Sequence, residues 1–212
     1  MSRYLTVMGE SVAEYEEKRS RFIATLRHCE TEAEALGFIE EMRTKYWDAR
    51  HNVFAYSVEK GRLCRFSDDG EPRGTAGKPI LDVINGNGIT DCAIVVTRYF
   101  GGTLLGTGGL VRAYSTSSKD AVENSKIAEM IPCTQYSIMC DYADHQKLVY
   151  LIEGENGVLE NTEFTDKVKV YFVFKDSECE GFLSKLTETF SARLEAVEQE
   201  KRISPFEITK NS

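Results

Sequence analysis

DCAIVVTRYFGGTLLGTGGLVRAYSTS, residues 91–117, is the stretch on which the fold turns. Residues 91–100 form a largely apolar run with Ile94, Val95, Val96 and Thr97 at its centre, which reads as a central strand. Five glycines follow, at 101, 102, 106, 108 and 109. A helical pattern then runs from about Gly108 to Glu129, with Leu110, Val111, Tyr114, Ala121, Val122 and Ser125 as its buried stripe. No acid lies between Cys92 and Lys119, whereas Arg98, Arg112 and Lys119 are cationic. Bare glycines let backbone amides approach a ligand, and a helix N-terminus carries partial positive charge. Gly101, Gly102, Gly106, Thr107, Gly108 and Gly109 are therefore candidate anion-binding positions, with Arg98 and Arg112 as bidentate clamps. The same glycines would also serve a tight turn and close helix–sheet packing.

Two phosphate loops are excluded. A nucleotide loop of the GxxxxGK[ST] type needs a lysine for the phosphates and a hydroxyl for magnesium. Gly101 and Gly106 have its glycine spacing, but Thr107 and Gly108 follow. Gly77–Lys78 lacks the upstream glycine, since position 72 is proline. The dinucleotide pattern GxGxxG fails as well, because Val111 stands where its last glycine would.

Upstream, residues 12–18 and 21–27 alternate as two strands around a polar turn. Thr31 and Glu34 form a capping box for a helix carrying Leu36, Ile39, Met42 and Tyr46. HNVFAYSVE (51–59) and LCRF (63–66) read as paired strands, and a short helix spans about Pro79 to Asn85. Downstream, Ile131–Pro132 should stop the long helix and separate a domain of residues 1–130 from one of 131–212. In the second part, strands at 133–141, 158–164, 167–174 and 193–203 alternate with helices begun by Asp144 and by a Ser177/Glu180 capping box. That order, β-α-β-β-α-β, is the ferredoxin-like pattern. The fold class is α+β with two domains.

Composition narrows the function. Hydrophobic content of 42% and charged content of 28% suit a globular domain. No run reaches the ~20 apolar residues of a membrane span, and no signal pattern opens the chain, so a cytoplasmic protein with reduced, structural cysteines is expected. The net charge of −8 excludes a general basic coat for nucleic acid. It is uneven: residues 1–130 hold 17 Lys and Arg against 19 Asp and Glu, and residues 131–212 hold 9 against 15. A nucleic-acid face would be local and in the first part.

Two further clusters are candidates. In SDDGEPRGTAGKP (67–79), Asp68, Asp69 and Glu71 offer hard oxygen ligands for a cation, although Asp–Gly and Pro–Arg–Gly are also ordinary turn chemistry. Arg50–His51 opens a strand, and His51 could move a proton near neutral pH. Lys78 adds a cation beside the acidic loop.

DARH (48–51), FSDDGEPRGTAGKP (66–79) and RYFGGTLLGTGGLVRAYS (98–115), with KRSRFIA (18–24), resemble the signature blocks of the IMPACT family in its bacterial YigZ-type form. The resemblance implies an N-terminal domain with the fold of the second domain of a small-subunit ribosomal protein. It implies a C-terminal domain similar to the last domain of elongation factor G. Both suggest work in translation, by analogy of fold. A binding protein follows, with RNA or a ribosome-associated protein as partner and Arg50, Lys78, Arg98 and Arg112 meeting phosphates. An interaction module using the acidic C-terminal part is an alternative. So is an enzyme on a phosphorylated ligand, with Asp68 or Asp69 holding magnesium and His51 or Lys78 handling a proton. The motifs specify no cofactor and no oligomeric state.

Overall fold

The computed structural model describes residues 3–207 and contains two compact units, Tyr4–Glu129 and Met130–Pro205. The first unit runs β1 (Tyr4–Met8), β2 (Glu10–Glu17), β3 (Ser20–His28), α1 (Glu32–Lys45), β4 (His51–Val58), β5 (Leu63–Ser67), α2 (Gly77–Gly86), β6 (Cys92–Tyr99) and α3 (Gly106–Glu123). Its main sheet has the order β2-β3-β6-β4-β5, with antiparallel neighbours throughout. The apolar run is the central strand β6, buried from Cys92 to Arg98. It is apolar on both faces because both are covered. Ala93 and Val95 meet α1, whereas Cys92, Ile94 and Val96 meet α2 and α3.

The two-residue β2–β3 turn places Lys18 and Arg19 at φ 47° and 65°, a mirror-image turn matching the strand twist. Helix α1 starts as its sequence dictates: Glu34 N donates to Thr31 Oγ1 at 3.3 Å. The Glu34 carboxylate returns to the amide of Glu30 at 2.8 Å. The buried face of α1 is Ala35, Phe38, Ile39 and Met42, and Leu36 lies half exposed on the other side.

Helix α3 differs most from expectation. It begins two residues earlier, at Gly106, and ends at Glu123. Its buried stripe is Leu110, Ala113, Tyr114, Ser117, Ser118, Ala121 and Val122, and Val111 is exposed. Residues 126–140 form one strand, β7 (Lys126–Cys140), with Ile131–Pro132 inside it. The proline does not end a helix because none is there. It precedes Cys133, where the pairing of β7 with β9 begins, so its missing N–H breaks no ladder bond of that pair. Its carbonyl accepts from Asp176 N at 3.0 Å.

The second unit continues with α4 (Tyr142–Gly154), β8 (Val158–Phe164), β9 (Val168–Lys175), α5 (Cys179–Thr189) and β10 (Ala196–Glu207). β7 lies between β10 and β9, and β8 flanks β9, which gives the ferredoxin-like order β10-β7-β9-β8. Alternate residues Tyr136, Ile138, Cys140, Val168, Val170, Phe172 and Phe174 face Leu148, Ile152, Phe182, Leu186 and Phe190 of the two helices. Each buried Phe contributes about 1.5–3 kcal/mol relative to exposure. Gly157 is required here, because a Cβ would stand 2.5 Å from the Phe174 ring. The two helix caps stand three residues before and one residue after their predicted positions. Asp141, not Asp144, precedes α4, and Glu178, not Ser177, precedes α5. Asp144 instead pairs with Arg193 at 3.0 Å.

Candidate functional site

Register assembles the site. Arg98, near the end of β6, is the Cα partner of Phe22 on β3 and of His51 on β4. Period-two alternation puts it on the face of Cys92, Ile94 and Val96, beneath α3. An arginine on a buried face needs a counter-charge. The acidic loop supplies it: Arg98 Nη1 donates to Glu71 Oε1 at 2.5 Å, with Arg98 5% and Glu71 9% exposed. Tyr114 OH, from α3, donates to the same oxygen at 2.8 Å. Burial first, and then the Glu71 charge, push the Tyr114 phenol far above its usual range, so it stays a donor. His51 Nδ1 lies 2.6 Å from the carbonyl of Asp69, which can only accept. Nδ1 therefore carries a proton, and Nε2 faces Glu71 Oε1 at 3.9 Å.

Arg98, Glu71 and His51 line a cavity of about 470 Å³ together with Arg50, Gly70, Pro72, Phe100, Leu104, Leu105, Gly106, Thr107 and Leu110. The first turn of α3 opens on it with Leu105 at the N-cap position, no acid in that turn and no side-chain cap among the described residues. Its first amides are the orphan donors of a helix start. Arg98 Nε is buried and has no hydrogen-bond partner among the described residues. Arg50 is exposed at the rim, its guanidinium 5.7 Å from the Phe100 ring.

The predicted residues divide accordingly. Arg50, His51, Glu71, Arg98, Gly106 and Thr107 meet at the cavity. Gly108 and Gly109 lie in the same first turn of α3 without lining the cavity. Gly101 serves packing: a Cβ there would stand 2.0 Å from the Arg19 carbonyl carbon, and its amide donates to Ser20 Oγ at 3.2 Å. Gly102 takes φ +86° in the loop. Lys78 pairs with Asp82 on the exposed side of α2. Arg112 is exposed on α3 away from the lining.

The acidic loop is internal scaffolding. Asp68 accepts from the amides of Gly74, Ala76 and Gly77 and so holds the turn and the start of α2. Asp69 Oδ2 accepts from Asn52 N at 2.7 Å. Among the described residues no group of three or more His, Cys, Asp or Glu is placed to hold a metal ion. No sequence motif marks Phe100, Leu104 and Leu105 as lining residues, and the helical stripe marks Tyr114 only as core. The alternation of β6 was the available signal, since it places Arg98 inside.

The Impact N-terminal domain matches residues 18–122, and a domain of unknown function, DUF1949, matches 138–193. An IMPACT family member of Haemophilus influenzae is 36% identical over 197 residues, covering 92% of this chain and 96% of that protein. The IMPACT family member YigZ of Escherichia coli is 35% identical over 174 residues, with 81% and 85% covered. A crystal structure described as that of a hypothetical protein is 32% identical at a TM-score of 0.61, covering 94% of this chain and 98% of its own. Among the described residues no helix is long and apolar enough to cross a membrane.

Proposed function

The chain belongs to the IMPACT family, and from that membership we propose a translation-associated regulatory protein that contacts single-stranded RNA at the cavity mouth beside α3. One observation carries this reading. The uncapped first turn of α3, with no acid in it, opens on the same cavity as Arg50 and a buried arginine with an unused N–H. Backbone amides and guanidinium groups are the usual partners of phosphate oxygens. A local site also suits a chain of net charge −8, which repels RNA elsewhere.

Fluorescence anisotropy with a labelled single-stranded RNA at a series of salt concentrations tests this. For single strands the slope of log K against log salt is about −0.7 per phosphate neutralised. Arg50→Ala, an exposed change, should lower that slope by about 0.7 and weaken binding at every sequence. Affinity independent of salt, or an unchanged slope in the variant, refutes the reading.

A further inference from the structure

The cavity is deeper than a backbone contact requires. Its floor is the buried trio Arg98, Glu71 and Leu110, whereas Arg50, Leu104, Gly106 and Thr107 at its mouth are exposed. A volume of about 470 Å³ suits one small ligand and is too small for a strand to thread. We propose that it is a pocket for a single unstacked nucleobase, with the base inside and its phosphate on the first amides of α3 at the rim. This rests on the RNA reading above and names the group that the site takes.

Two features of the lining select a base. Phe100, Leu104, Leu105 and Leu110 give an apolar wall, and Leu104 is 82% exposed. An exposed leucine beside an open apolar wall gains a partner when a flat ring enters. The floor holds the buried Arg98 guanidinium, whose Nη1 donates to the Glu71 carboxylate and whose Nε has no hydrogen-bond partner among the described residues. A nucleobase edge presents both an acceptor and a donor. A sugar phosphate would bring hydroxyls against the apolar wall, and a lipid phosphate would leave the floor unpaired. Packing the base on a protein face offsets the cost of unstacking it.

The test compares ligands that differ only in the base. Nucleoside 5′-monophosphates are titrated against ribose 5-phosphate by calorimetry, and a labelled homopolymer RNA is compared with an abasic strand of equal length and charge. At least one mononucleotide should bind tenfold or more tightly than ribose 5-phosphate, and the abasic strand should bind about tenfold more weakly than the RNA. Leu104→Ser, on a side chain too exposed to matter for folding, should weaken mononucleotide binding about tenfold with the unfolding midpoint unchanged. Equal binding of RNA and abasic strand, with no mononucleotide preferred over ribose 5-phosphate, overturns the pocket and leaves the RNA reading standing. Mononucleotides that bind when RNA does not support the pocket with free nucleotide as its ligand and overturn the RNA reading. No binding of either kind overturns both.

Discussion

Glu71→Gln tests the arrangement at the base of the cavity most directly. Glutamine keeps the shape and leaves an amide oxygen for Arg98 and Tyr114, but removes the charge. Arg98 and Glu71 are 5% and 9% exposed and meet at 2.5 Å, so little solvent screens the guanidinium once its partner is neutral. Breaking a buried pair from one side costs about 3–5 kcal/mol. The retained amide oxygen still accepts, at about 0.5–1.5 kcal/mol per neutral bond instead of about 1.5–3 to a charged group. The open cavity also lets water approach, so the expected loss is about 3 kcal/mol, at the low end of the range for a buried pair. For a chain of this length that corresponds to a fall in unfolding temperature of about 6–12 °C. Differential scanning calorimetry measures it. Inorganic phosphate should then raise the midpoint of the variant more than that of the parent, because the anion restores the missing counter-charge. Tyr114→Phe is the control. It removes one donor at 2.8 Å and keeps the ring edge-on to Phe22, and it should cost only about 1–2 kcal/mol. A Gln variant destabilised by less than about 1 kcal/mol, or no more than the Phe variant, would refute the argument that a buried charge pair holds this site.

Gly101→Ala and Gly108→Ala should move stability in opposite directions. A Cβ at 101 would collide with the backbone of Arg19 and cost about 2 kcal/mol or more, whereas at 108 it meets open space in a helix and should add about 0.5–1 kcal/mol. Urea unfolding of the two variants decides it, and equal effects would contradict the packing role of Gly101. Stability should also fall in alkali. Burial raises the Cys29 thiol from 9.0 to about 11, and burial with the hydrogen bond to Glu32 raises Tyr56 from 10.0 to about 12. Both folded values exceed the unfolded ones, so the stabilisation is full below about pH 9 and is lost as pH rises towards 12. A urea midpoint that stays constant from pH 9 to pH 11 would contradict this.

The second unit was legible because its elements follow plain periods. Strands at 133–141 and 167–174 alternate apolar residues, and the structure pairs them, with 158–164 at the edge, in the ferredoxin-like order. The helix caps were less so. Ser177 and Asp144 have the right chemistry, but Glu178 and Asp141 hold the N-cap positions instead. The segment from Ser125 to Pro132 failed for a physical reason. Its residues suit a helix locally, and a residue before proline commonly ends one. Burial of Ala128, Met130 and Ile131 instead draws it into a strand, an instance of tertiary packing overriding local preference.

Half of the site is legible in separate motifs, and strand alternation supplies the other half. Arg98, Glu71, His51 and the glycines stand in the sequence as separate motifs, each with an ordinary structural role open to it beside the functional one. Alternation on β6 joins them. With Ile94 and Val96 facing α3, Arg98 must face it too, and an arginine inside requires an acid inside. The nearest unassigned acids were in the loop at 68–71. Asp68 is consumed by three amides and Asp69 by Asn52, which leaves Glu71 for the arginine. The acidic loop therefore reads best as the supplier of one buried charge. A fold seldom keeps such a pair in place of apolar residues for stability alone, since well-packed hydrophobic substitutes are often equal or better. Its position at the floor of an open cavity, with one arginine N–H unspent, is why the site is read as a place where something binds.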